Sequence, residues 1–164
     1  MKRSKTAVIG LGNRLLADEG AGLHAVNLLE KKMENETVDV DVVEAGTPGM
    51  NLLHQFDERE KIIFVDAGNC GIEPGQYRRF TPDDVVSLKK LKGHSLHEFD
   101  LIGFLEFAKK MGITANTDVV IYCIQASEIV MSEKLSLVVE KNLPGLIREI
   151  YGEVTAGTYG GKHA

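Results

Sequence analysis

Cysteine is scarce in this chain: only Cys70 and Cys123 are present. Two thiols cannot by themselves build a metal cage or a disulfide framework. Long apolar runs are missing as well, and none approaches the roughly 20 residues that span a bilayer. The segment MKRSKTAVIG carries basic residues but leads into a strand-length apolar stretch and then glycines, unlike a signal-peptide core. Positive charge does not predominate, since 19 Lys and Arg face 24 Asp and Glu for a net charge of −5. Nucleic-acid binding needs a clustered basic face, so that class is disfavoured. No H-E-x-x-H pair and no G-x-S-x-G elbow occurs, which removes the zinc-protease helix and the serine-hydrolase turn. What remains is an ordinary globular composition, 43% hydrophobic and 26% charged over 164 residues. That length suits one domain burying about two-thirds of its unfolded surface. A cytoplasmic, monomeric or weakly associating protein is the expectation.

Strand-length apolar runs alternate with stretches of helical period, the pattern of a parallel sheet covered on both faces. The expected fold is therefore α/β and three-layered, with a twisted, mostly parallel sheet of about five strands between helices. Strands are predicted over residues 5–11, 38–44, 61–66, 76–81 and 117–124, and Lys61-Ile-Ile-Phe-Val-Asp66, the most apolar, is placed centrally. Helices are predicted over 18–33, over 50–55, from Thr81-Pro-Asp-Asp84, from the capping box Ser95-Leu-His-Glu98 through Lys110, and over 135–151. Pro144 suggests that the regular part of the last helix starts near that residue. Residues 1–151 form the single domain, and 152–164, without an apolar period, are expected to be a tail.

The stretch Gly10-Leu-Gly-Asn-Arg-Leu-Leu-Ala-Asp-Glu-Gly-Ala-Gly22 follows the first strand. A dinucleotide fold would use Gly10 and Gly12 for the start of G-x-G-x-x-G and Glu44 for the ribose. Leu15 stands where the third glycine belongs, and Asp18 and Glu19 would repel a pyrophosphate from the helix start. A nucleotide-binding module is thus a minor alternative. Acids at that position are also good partners for the helix dipole, so the loop alone does not prove a site.

Two further residues give it meaning. In a doubly wound sheet, ligands collect beyond the carboxyl ends of strands near the switch in strand order. Glu19 lies beyond the first strand, Asp66 ends the central one, and His97 lies where a helix begins after the fourth. Two carboxylates and an imidazole make a borderline metal site with room for water or a substrate atom. Each has a plain alternative: Asp66 as a cap of the next turn, His97 as a solvated first-turn residue. His94 rivals His97, whereas His24 and His54 read as surface or packing residues. Cys70 with His97 as base is a weaker nucleophilic reading.

GLGNRLLADEGAG, then GTPGMNLL from Gly46 to Leu53, IIFVDA from Ile62 to Ala67, and HSLHEFDL from His94 to Leu101 together resemble the [NiFe]-hydrogenase maturation endopeptidases. The four motifs fall in the family's order and spacing, and the resemblance covers roughly the first 150 residues. It implies a cytoplasmic endopeptidase that removes a short C-terminal extension from the hydrogenase large-subunit precursor after nickel insertion. It places the metal-contacting residues at Glu19, Asp66 and His97, with nickel supplied by the precursor and no organic cofactor. Glu44 takes a place where aspartate is common in the family. Asp66 is the first choice for the base that activates water. A non-catalytic chaperone that binds nickel or precursor is the alternative from another class.

Overall fold

The computed structural model describes residues 2–84 and 99–159, the side chains of 99–100 and 157–159 excepted. Its centre is a five-stranded sheet in the order β2-β1-β3-β5-β4. The strands are β1 (Thr6–Leu11), β2 (Asp41–Gly46), β3 (Lys61–Gly68), β4 (Tyr77–Phe80) and β5 (Asp118–Gln125). All neighbouring pairs are parallel except β4 with β5. The sheet is the mostly parallel one expected, and β3 is its middle strand.

Alternation along the strands sorts their side chains to two faces. Val8, Ile63, Val65, Val120, Tyr122 and Ile124 join α1 (Ala21–Met33) and α3 (Leu137–Tyr159) in one core. Ala7, Ile9, Leu11, Ile62, Phe64, Val119 and Ile121 pack on the other side with α2 (Phe99–Lys110) and the 3₁₀ helix Met50–Phe56. Three layers result, each central strand apolar on both faces, which is why β3 reads as an unbroken hydrophobic run.

α1 approaches the sheet closely. A methyl group at Gly22 would lie 2.2 Å from the Val65 carbonyl oxygen and 2.4 Å from that of Leu11. The glycine thus lets the start of α1 rest on the ends of β1 and β3 together.

The last helix departs from expectation. α3 runs through Pro144 without interruption and continues to Tyr159, so residues 152–159, expected as tail, are helical. The physical reason is its buried stripe. Val139, Leu143, Leu146, Ile147, Ile150 and Val154 recur at helical spacing on both sides of Pro144, and their burial outweighs one missing amide donor. Electrostatics hold the same helix to the sheet. Glu153 pairs with Lys61 at 3.0 Å and Arg79 at 2.7 Å and accepts the Tyr122 hydroxyl at 2.6 Å. Burial by itself would raise the Glu153 carboxyl, but these three donors outweigh it and bring its pKa down to about 2.

The cysteines also depart from expectation. Too few for a disulfide framework, Cys70 and Cys123 nonetheless bond to each other across a separation of 53 residues, with Cα atoms 6.3 Å apart. One such link typically contributes about 2–4 kcal/mol by constraining the unfolded chain. The capping box at residues 95–98 lies outside the described residues, although the helix predicted to follow it is present as α2.

Gly22→Ala should cost about 1–3 kcal/mol in urea unfolding, because two backbone carbonyls would have to move. Gly152→Ala, on an open part of α3, should instead gain up to about 1 kcal/mol through helix propensity.

Candidate active site

The sheet order places the topological switch between β1 and β3, because β2 lies on one side of β1 and β3 on the other. The predicted carboxylates flank that switch. Asp66 is the sixth residue of β3, half-buried near its carboxyl end. Glu19 sits in the 3₁₀ turn Ala17–Gly20 between β1 and α1, and this turn packs against β3. The structure therefore brings Glu19 and Asp66 to one rim of the sheet from adjacent strands. His97, with its rival His94, lies outside the described residues, just ahead in sequence of the start of α2 at Phe99.

The glycines of the first loop act on Glu19 through the backbone. Gly12 has φ +133°, and a methyl group there would lie 1.9 Å from the Glu19 carbonyl oxygen. That same carbonyl accepts the Asn13 amide at 3.2 Å. Only a residue without a side chain lets the loop fold back this far. The Gly46-Thr47-Pro48-Gly49 turn covers the neighbouring strand end, where the Gly46 carbonyl accepts the Gly12 amide at 3.0 Å. Glu44, weighed above as a ribose acid, is half-exposed and paired with Arg14.

Asp18 has a role that its place at a helix start did not reveal. It is fully buried, and its carboxylate accepts four hydrogen bonds from one distant loop. The donors are the amides of Ser127 (2.9 Å), Glu128 (2.8 Å) and Ser136 (2.8 Å) and the Ser136 hydroxyl (2.8 Å). Burial alone would raise this carboxyl, but the four donors outweigh it and hold its pKa below the usual value of 3.8. The backbone closes the same seam: Ala17 donates to Ser132 and Ser132 to Leu15. Ala17 adopts φ +49°, a left-handed conformation costing an alanine about 1–2 kcal/mol. Glu19, the next residue after Asp18, is thereby attached to a rigid seam rather than a loose loop.

Among the described residues no group of three His, Cys, Asp or Glu is placed to hold a metal ion. The Cys70 sulfur is taken up by its bond to Cys123, so the nucleophilic-thiol reading has no free thiol to use. His24, read from sequence as surface or packing, is half-buried in α1; its burial, then the charge of Arg14, push the imidazole pKa down. Apolar side chains stand exposed along the seam: Leu15, Ile129, Val130, Met131 and Leu137.

Fold and rim together describe an α/β protein with acidic side chains at the switch point of a mostly parallel sheet. The chain belongs to the hydrogenase maturation proteases: the HycI family model matches residues 23–153. A Methanocaldococcus jannaschii protein assigned to the hydrogenase maturation proteases is 32% identical over 159 residues, spanning 94% of this chain and 99% of that one. The hydrogenase expression/formation protein HupD of Rhizobium leguminosarum bv. viciae is 35% identical over 105 residues, or 64% of this chain, and the match spans about half (52%) of that longer relative. The hydrogenase-maturating endopeptidase HybD of E. coli shares the fold, with a TM-score of 0.77, 22% identity and 93% of each chain covered.

Asp18→Asn should lower stability at neutral pH by about 3 kcal/mol, because an amide nitrogen would then face amide donors. The folded carboxyl lies below its ordinary pKa of 3.8, so its contribution is complete above about pH 4 and fades as the pH falls through the folded value. Thermal unfolding from pH 7 to pH 2.5 should show the gap between wild type and variant closing below pH 4.

Proposed function

We infer that this chain removes a C-terminal extension from a [NiFe]-hydrogenase large-subunit precursor after nickel insertion, with Glu19, Asp66 and His97 as its working residues. The observation that supports the reading is that Glu19 follows β1 and Asp66 lies near the carboxyl end of β3, the two strands that meet at the switch point. Membership of the maturation-protease family supports the reaction class.

In this reading nickel is part of the substrate. The two carboxylates and the His97 imidazole complete the coordination of a nickel ion already seated in the precursor, which fixes the scissile bond beside the rim. A precursor without nickel has nothing to bring it into register, so coordination works as a checkpoint. Such an ion would supply polarisation of the scissile carbonyl or acidification of an attacking water, whose proton Asp66 takes up. The exposed Ile129, Val130 and Met131 of the loop before α3, with Leu15 and Leu137, provide a surface for the polypeptide around the cut. The enzyme works as a cytoplasmic monomer with the precursor as its partner and no organic cofactor.

Asp66→Ala, Glu19→Gln and His97→Ala, each offered nickel-loaded precursor, should lose cleavage by at least about a hundredfold. Mass spectrometry of the released peptide is the readout. Normal cleavage by all three variants contradicts the reading, and precursor binding by wild type without peptide release marks a chaperone instead.

A further inference from the structure

Asn13, exposed in the loop after β1, is bound to the turn that carries Glu19. Its backbone amide donates to the Glu19 carbonyl at 3.2 Å, and its own carbonyl accepts the Leu16 amide at 3.3 Å. A methyl group at Gly20 would lie 3.1 Å from that Asn13 carbonyl oxygen, so the turn packs closely on this residue. The side chain is held as well, because Oδ1 accepts the Leu15 amide at 2.9 Å. An amide N–H donates only to an oxygen, so this bond decides which way the Asn13 side-chain amide is turned. Nδ2 and its two hydrogens are then directed away from the turn, and Nδ2 has no hydrogen-bond partner among the described residues. The neighbouring guanidinium of Arg14 is already engaged by Glu44.

Hydrolysis of a peptide bond needs such a donor. Water adds to the scissile carbonyl carbon, the carbonyl π pair moves onto its oxygen, and the water's proton goes to Asp66 in the reading above. Collapse restores the carbonyl, breaks the carbon–nitrogen bond and returns that proton to the departing nitrogen. Charge therefore builds and fades on one oxygen, which donors stabilise and acceptors do not. Ionised Glu19 and Asp66 only accept. We propose that Asn13 is a further catalytic residue, whose Nδ2 donates a hydrogen bond to the scissile carbonyl oxygen of the precursor. The assignment rests on the peptidase reading and adds a neutral donor to its acidic residues. Because the Asn13 backbone is bonded to the Glu19 carbonyl, donor and carboxylate are presented by one rigid turn. Preorganised donors of this kind raise kcat by about 10²–10³.

Substitutions at Asn13 separate the donor from the turn. Asn13→Asp and Asn13→Ser keep an oxygen for the Leu15 amide and lose the NH₂ group, the first with an added charge and the second without. Asn13→Ala loses both functions. With nickel-loaded precursor, the Asp and Ser variants should each lose kcat about a hundredfold, with KM within about twofold of wild type and an unchanged thermal midpoint. Asn13→Ala should lose at least as much and unfold at a lower temperature. A wild-type kcat in Asn13→Asp or Asn13→Ser overturns the assignment, since the side chain would then serve only the turn. So does a raised KM at unchanged kcat, the mark of a contact made equally to bound substrate and transition state. Wild type that binds the precursor without releasing peptide removes the peptidase reading and the Asn13 role together. Cleavage by wild type with undiminished kcat in the variants removes the Asn13 role alone.

Discussion

A buried carboxylate organises the rim of this protein. Asp18 is fully buried, and four donors from residues 127–136 converge on it. An ionised group in such a place is tolerable only when nearly every lone pair is satisfied, and loss of any one donor exposes the rest to a large desolvation cost. The interaction therefore fixes two loops at once: the one after β1, which carries Glu19, and the one between β5 and α3. Preorganisation of that kind is what a site needs if it must present a carboxylate to a cation at a defined place.

The sheet supplies the second constraint. Parallel strands covered on both faces must carry their polar chemistry at their ends, and the reversal of order between β1 and β3 opens the crevice where ligands gather. Gly22 lets α1 come down onto both strand ends, and Gly12 lets the intervening loop fold back on the Glu19 carbonyl. The glycines that resemble a phosphate loop serve close packing here, and an acidic residue occupies the mouth. In the proposed reading the ligand of this loop is a cation, although its backbone keeps the strand-turn-helix form of the anion-binding kind.

Much of this was legible in the residues because it is local. The apolar run Ile62–Val65 marked the central strand, although β3 runs two residues past Asp66 and Glu19 lies in a 3₁₀ turn ahead of α1 rather than inside the helix. Legibility stopped where contacts are long-range. Asp18 looked like a helix-start acid because its donors lie more than 100 residues away. The Cys70–Cys123 link depends on the register of β5 against β3, which two isolated cysteines do not disclose. Pro144 suggested a boundary, since the local rule is strong, yet the apolar stripe from Val139 to Val154 carries the helix across it. Local preference lost to tertiary burial there.

Whether the rim reads the metal of its substrate is tested by a comparison of two substrates. Wild-type protein is mixed with large-subunit precursor that is either nickel-loaded or nickel-free and otherwise identical, and peptide release is followed by mass spectrometry. Release is expected from the loaded precursor and none over the same interval from the nickel-free one. Equal rates from both would contradict it, because the carboxylates would then be acting without the ion that gives them their role.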